Sequence, residues 1–211
     1  MKDKELSKKR LLDAVGEIIR KEGFRSLNVS KVAKMAELDR KLIYRYFRNL
    51  DGLIEAYIVQ HDYWVSFAEH FKELLASDEE PDTAVLITKI LQDQFRYFLK
   101  EENMQYLVLM ELTQNIEILQ SIHHVREWIG QQIFERTDPH FDGGPVNFRA
   151  ISALLVGGIY YIILHARFNG SQFADVDVAS EKGRADLLRA IAQVVAWAFN
   201  AADGHEAPGR P

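Results

Sequence analysis

VSKVAKMAELDRKLIYRYFR, residues 29–48, decides how the rest of this 211-residue chain is read. Reading a DNA major groove needs a short helix held firmly against a second one, with polar side chains on its outer face. Val29, Val32, Ala33 and Ala36 form a short apolar stripe, which predicts a supporting helix over Val29–Ala36. Ala33 is small where two helices must approach, and Leu38 can plug the turn. Asp39 is a natural N-cap, able to accept a backbone N–H from Lys41 or Leu42. Ile43 and Phe47 then face a core at i, i+4. That leaves Arg40, Lys41, Tyr44, Arg45 and Arg48 on the outside. Arg and Lys donate to guanine edges or phosphates, and Tyr donates to phosphate or packs on a thymine methyl. Tyr46 either touches a phosphate or packs on the helix that follows. Ser30 and Lys31, on the supporting helix, complete the expected DNA contacts together with Asp39 and Leu42.

The charge distribution agrees with a nucleic-acid head. Residues 1–50 hold 14 Lys+Arg and 7 Asp+Glu, a net +7; residues 51–211 hold 12 and 24, a net −12, giving −5 for the chain. A basic first quarter on an acidic remainder suggests a polyanion-binding head on a body with another task, the alternative being a solvated basic face. Lys8, Lys9 and Arg10 are either an arm on the DNA or a solvated helix start.

Composition is that of a soluble globular chain, 47% hydrophobic and 27% charged. With no Cys, disulfides, thiolate metal sites and Cys nucleophiles are excluded. The start, MKDKELSKKR, has no apolar stretch, so no secretory signal is expected and the cytoplasm is the expected compartment. Ala150–Ala166 (AISALLVGGIYYIILHA) is nearly apolar but shorter than the ~20 residues a spanning helix wants. It reads as a helix buried in protein on most sides, not as a membrane segment.

Helical periodicity continues along the chain. One stripe is Leu11, Leu12, Val15, Ile18 and Ile19; a long helix is predicted from Leu53 through Leu75, stopping before Ser77–Pro81. Further stripes run over Ile87–Leu99, Leu109–Leu119, Ile122–Ile133 and Leu187–Phe199. Asp138–Pro145 (DPHFDGGP) and Asn169–Ser180 read as loops. The predicted class is all-α, with about nine helices. The predicted organisation is a three-helix head over residues 1–50, a helical body over 51–202 and a frayed tail over 203–211.

On these residues the chain resembles the TetR/AcrR family of bacterial transcription regulators, from about Lys9 to Leu53. The resemblance is carried by Gly23-Phe24, Val32-Ala33, Leu38-Asp39 and Leu42-Ile43-Tyr44-Arg45-Tyr46-Phe47, similar to the family's "tlYryF" signature. Three positions depart from it. Glu37 stands where Gly usually eases a left-handed helix end, a cost of about 1 kcal/mol. Lys41-Leu42 replaces a Gly-Thr pair, trading a hydroxyl donor for an apolar side chain that can meet a thymine methyl. Leu50 replaces a Lys, so that phosphate contact falls to Arg48 or Lys41.

The resemblance implies a homodimeric repressor that binds double-stranded operator DNA at a pseudo-palindrome and is released by a small-molecule inducer. It also implies that the last two long helices pair with their copies. Independently, Ala150–Ala166 is apolar around its whole circumference and carries small residues. Ala153, Gly157, Tyr161, Leu188, Ile191 and Val195 are therefore candidate interface positions. Aromatic stripes with a few polar groups suggest an effector pocket among Trp64, Phe67, Phe71, Gln94, Phe95, Phe98, Glu111, Asn115, Trp128 and His165. For each of these, ordinary core packing is the alternative. No cofactor or metal is expected, and no catalytic residue: Glu-x-x-His pairs, a Gly-rich phosphate loop, Gly-x-Ser-x-Gly and His-Glu-x-x-His are all absent from the sequence. The rival readings are a helical interaction module whose reading head has degenerated and, behind it, an all-α enzyme.

Overall fold

The structure, a computed structural model, describes residues 2–64, 82–113 and 117–204. Among these are nine α-helices: α1 (Lys2–Glu22), α2 (Val29–Met35), α3 (Lys41–Phe47), α4 (Leu50–His61), α5 (Thr83–Lys100), α6 (Glu102–Thr113), α7 (Glu117–Phe141), α8 (Phe148–Phe168) and α9 (Glu181–Asp203). The described residues are all-α apart from a 3-10 turn at Phe24–Ser26 and two strands of two residues each, β1 (Gln172–Phe173) and β2 (Val176–Asp177). The strands pair antiparallel within the stretch read from sequence as a plain loop. Ala174 and Asp175 both have positive φ there, as a two-residue hairpin turn matched to strand twist requires.

The chain divides into two compact units. The first takes in α1–α4, α6 and α7 as far as Arg126; the second takes in α5, α7 from Glu127 onward, α8, the hairpin and α9.

In the first unit, Leu11, Val15 and Ile18 of α1 are fully buried with Val32 of α2, Ile43 of α3 and Leu53 and Ile58 of α4. Each such side chain contributes roughly 1.5–3 kcal/mol on burial. Leu107 and Met110 of α6 close the same core. The predicted long helix from Leu53 breaks at Asp62, where the backbone turns extended at ψ 124°. The cause is a buried carboxylate. Asp62 accepts the backbone N–H of Trp64 at 2.9 Å, capping a new helical start, and ion-pairs with Arg126 of α7. The sequence expectation beyond Trp64, up to Ser77–Pro81, lies outside the described residues.

In the second unit α5 packs against α8 and α9, and the Gln92 amide donates to the Leu188 carbonyl at 2.9 Å. The predicted loop at Asp138–Pro145 begins later than expected, because α7 runs through Pro139 to Phe141. A proline in the last turn removes one backbone hydrogen bond. The turn is held instead by side chains. Phe141 stacks on Phe148 at 4.6 Å and meets Phe199 edge-on at 4.8 Å, while Asp138 accepts two hydrogen bonds from Arg149. Those hydrogen bonds hold the Asp138 carboxyl below its usual range.

Helix α8 has 21 residues, long and apolar enough to cross a membrane by length and composition alone, and only 22% of its apolar window is buried in this chain. The helix is longer than the apolar stretch read from the sequence, and most of its apolar window is left uncovered by this chain.

Candidate nucleic-acid interface

Local chemistry builds the reading head. Asn28 caps α2 by accepting the Lys31 N–H at 2.9 Å. At the other end Leu38 N–H bonds to the Ala33 carbonyl (3.0 Å) and Glu37 N–H to the Lys34 carbonyl (3.1 Å), with Glu37 at φ 51°. This is a Schellman closure with Glu at the left-handed position that Gly usually takes. Asp39 accepts the Lys41 N–H at 2.7 Å, so the predicted capping contact is formed at the entrance to α3. Arg48 ends α3 at φ 71°, and Asn49 starts α4 by accepting the Gly52 N–H at 2.7 Å. The turn is tight: a Cβ on Gly52 would stand 2.2 Å from the Phe47 carbonyl oxygen.

The outer face of α3 presents Arg40, Lys41, Tyr44, Arg45 and Arg48, all exposed, with Tyr44 at 54%. None of the four cations has an acidic partner among the described residues, so their charge is available to phosphate. Other cations of the head are engaged. Arg10 pairs with Glu37 at 3.0 Å, and Lys31 with Glu22 at 2.5 Å. Lys31 would therefore have to leave Glu22 to meet DNA. Ser30 is exposed. Leu42 and Tyr46, both expected as DNA contacts, pack partly against the head core and stay partly exposed. Arg45 lies over the Tyr46 ring, 5.9 Å from its centroid.

With this geometry established, likeness to known proteins becomes informative. Residues 11–57 match the sequence family of bacterial regulatory proteins, tetR family. The likeness to that family lies in the head, α1 to α4. An uncharacterised HTH-type transcriptional regulator, YvkB of Bacillus subtilis, is 38% identical over 53 residues; the match spans 25% of this chain and 28% of that protein. The TetR-type head is thus the part that sequence likeness covers. The fold likeness reaches further. The Bacillus subtilis transcriptional regulator FadR, solved in complex with stearoyl-CoA, superposes over 89% of this chain and 96% of its own, with a TM-score of 0.63 and 19% identity. A TetR-family regulator from Marinobacter aquaeolei VT8 covers 92% and 98%, with a TM-score of 0.62 and 18% identity.

The residues expected in an effector pocket are dispersed. Trp64 is buried in the first unit, and Glu111 there pairs with Arg126 and approaches His123 at 3.7 Å. In the second unit Gln94, Phe95 and Phe98 are buried together on α5, whereas Trp128 is half exposed. His165 packs its ring against Tyr161 and Phe173. Phe67, Phe71 and Asn115 lie outside the described residues. Among the described residues no group of three or more His, Asp and Glu is arranged to hold a metal ion.

The candidate interface positions separate likewise. Ala153, Gly157 and Tyr161 are exposed on α8, and Leu188 is half-buried. Ile191 and Val195 are buried within the chain's own second unit, which takes them out of any surface. Two residues were missed: Leu154 (77% exposed) and Trp197 (62%). Leu154 carried a usable signal, since it stands three and seven positions before Gly157 and Tyr161, on one helix face. Trp197 carried none, being off the apolar stripe of its helix.

Proposed function

We propose that the chain is a DNA-binding transcription regulator that reads a pseudo-palindromic operator as a homodimer and is released by a small-molecule effector. The observation that carries this reading is the outer face of α3, with four unpaired cations and an exposed Tyr44 on a capped, core-anchored helix. Repression relieved by an inducer is the sense we assign to it. In this reading residues 1–50 read DNA, and residues 51–202 bind effector and dimerise.

Support for the dimer comes from what α8 leaves open. Leu154, Gly157 and Tyr161 share one exposed face, and a Cβ on Gly157 would meet nothing within 4 Å. A second copy placed there on a two-fold axis would cover the face and set two heads over two half-sites. The fold likeness to a regulator solved with stearoyl-CoA makes that acyl-CoA the first effector to try.

Selection of bound sequences from a random duplex pool at near-physiological salt tests the reading. A recovered pseudo-palindrome whose affinity falls steeply with salt supports it. Recovery of nothing above background, with and without stearoyl-CoA, rejects DNA reading and favours a helical interaction module.

A further inference from the structure

Four polar or charged side chains are buried among the described residues: Asp62, Gln94, Gln105 and Thr137. Asp62 is paired with Arg126, Thr137 donates to the Phe134 carbonyl, and Gln105 is engaged as well. Gln94 differs. It is 0% exposed, and neither its Nε2 nor its Oε1 has a hydrogen-bond partner. A primary amide brings two donors and an acceptor oxygen, and burying them unpaired costs free energy that an apolar side chain of the same size would not.

The surroundings sharpen the anomaly. Gln94 sits mid-stripe on α5, among Ile87, Ile90, Leu91, Phe95 and Phe98, all buried. Phe98, one turn on, packs on the Tyr160 ring of α8 at 4.7 Å. The charged residues of α5 point away: Lys89, Arg96 and Lys100 are exposed, and Asp93 pairs with Arg96 at 2.9 Å. The buried residues of α8 and α9, the helices packed on α5, are Phe148, Ile159, Ile163, Gly183, Ile191, Val195, Ala198 and Phe199, with no charge among them. A polar residue that breaks an otherwise consistent core is where function is expected.

We propose that Gln94 is the polar anchor of a buried effector site in the second unit. It takes a mostly apolar ligand through one uncharged group that can both accept and donate a hydrogen bond, a hydroxyl or an amide. The inference rests on the effector-binding reading above and sets a neutral alcohol or amide against the acyl-CoA named there as the effector class. A hydroxyl or amide satisfies both Nε2 and Oε1, whereas a carboxylate offers nothing to Oε1 and would enter without a counter-charge.

The test compares wild type with Gln94→Leu, with Gln94→Met as a second variant of similar length. The first readout is thermal unfolding without ligand, and both variants should melt a few degrees higher, because an unpaired amide is removed. A lower melting temperature in both would show that the amide has partners, and would overturn the premise. The second readout is binding of 1-decanol, decanamide and decanoate to the full chain. Wild type should bind the alcohol and the amide about tenfold more tightly than decanoate, and the variants should lose that preference. Equal affinity for all three in wild type, an unchanged preference in the variants, or no binding of any probe overturns the proposed ligand class. Failure of the two readings is separable. DNA selection without head-group discrimination leaves the regulator and removes the Gln94 site; discrimination without DNA selection does the reverse.

Discussion

In the first unit the outer face of α3 is polar and cationic; in the second, α8 and α9 leave large apolar side chains exposed while α5 buries an unpaired amide. Helices α1 to α4 bury their stripes in one another, cap their ends with Asn28, Asp39 and Asn49, and leave cations outside. Helices α8 and α9 bury Ile163, Ile191 and Val195 but leave Leu154, Tyr161 and Trp197 in solvent. The contrast separates a part that exposes charged side chains from a part that exposes large apolar ones. A DNA-reading head needs a rigid, pre-formed helix, because looseness there would spend binding energy on ordering. A body that dimerises and responds to a ligand is expected to hold surfaces and groups that are satisfied only on binding.

The largest effect should come from breaking the interior pairing of the first unit. Arg126 donates twice to Asp62 and also to Glu111, with Asp62 wholly buried. Arg126→Ala would strand that carboxylate and should cost about 3–5 kcal/mol in thermal or denaturant unfolding. Replacing Asp62 and Arg126 together by Leu should recover much of the loss, because the stranded charge is then absent. A loss below about 1 kcal/mol in the single variant would mean the pair is not structural.

Next comes the apolar surface of the second unit. Leu154→Glu should weaken the proposed dimer by about 2–4 kcal/mol, since two like charges would face each other across a two-fold axis. Sedimentation should show single chains at concentrations where wild type is paired, with the melting curve of the isolated chain little changed. An unchanged sedimentation profile would reject this face of α8 as the contact.

The open face of α3 allows the converse experiment, in which function falls and the fold does not. Arg45→Ala should lower operator affinity by about 1–3 kcal/mol and flatten its salt dependence if it meets phosphate. It should leave unfolding unaltered, because Arg45 is exposed and has no acidic partner among the described residues. Tyr44→Ala should behave alike.

How much of this was legible beforehand follows the same division. The head could be read because its determinants are local. Stripes at i, i+3 and i+4, a capping Asp39 and a small Ala33 each act within a few residues. The break at Asp62 could not be read, since its partner Arg126 lies 64 positions away. Pro139 suggested a loop, and only the distant Phe148 and Phe199 explain why α7 continues to Phe141. Ile191 and Val195 looked like interface for a related reason. An apolar stripe announces burial without saying against which surface.

A smaller effect tests whether the head is as settled as it looks. Glu37 holds a left-handed backbone at φ 51°, at a position where Gly is free of the Cβ penalty. Glu37→Gly should therefore stabilise the first unit by about 0.5–1 kcal/mol. The lost pair with Arg10 offsets little, because both groups are exposed. A destabilised variant would show that the Arg10–Glu37 contact, not the backbone, governs the turn.

The smallest effect is a pH dependence, and its sign follows from burial. His61 ends α4, accepts a hydrogen bond from the Asn103 amide at 3.3 Å and lies 3.3 Å from Glu101. Burial pushes its pKa below the usual 6.5; Glu101 and Asp13 pull it up, and Arg20 adds a push down. The folded state therefore binds less proton than the unfolded chain between the depressed value and 6.5. The contribution is fully present above pH 6.5 and is lost as pH falls through the folded value. Unfolding of wild type should lose stability across that window, and His61→Gln, which keeps an acceptor for Asn103 without titrating, should flatten the loss. If the two proteins lose stability in parallel on acidification, the slope belongs to carboxylates elsewhere, and the first unit has no titrating group of consequence at the end of α4.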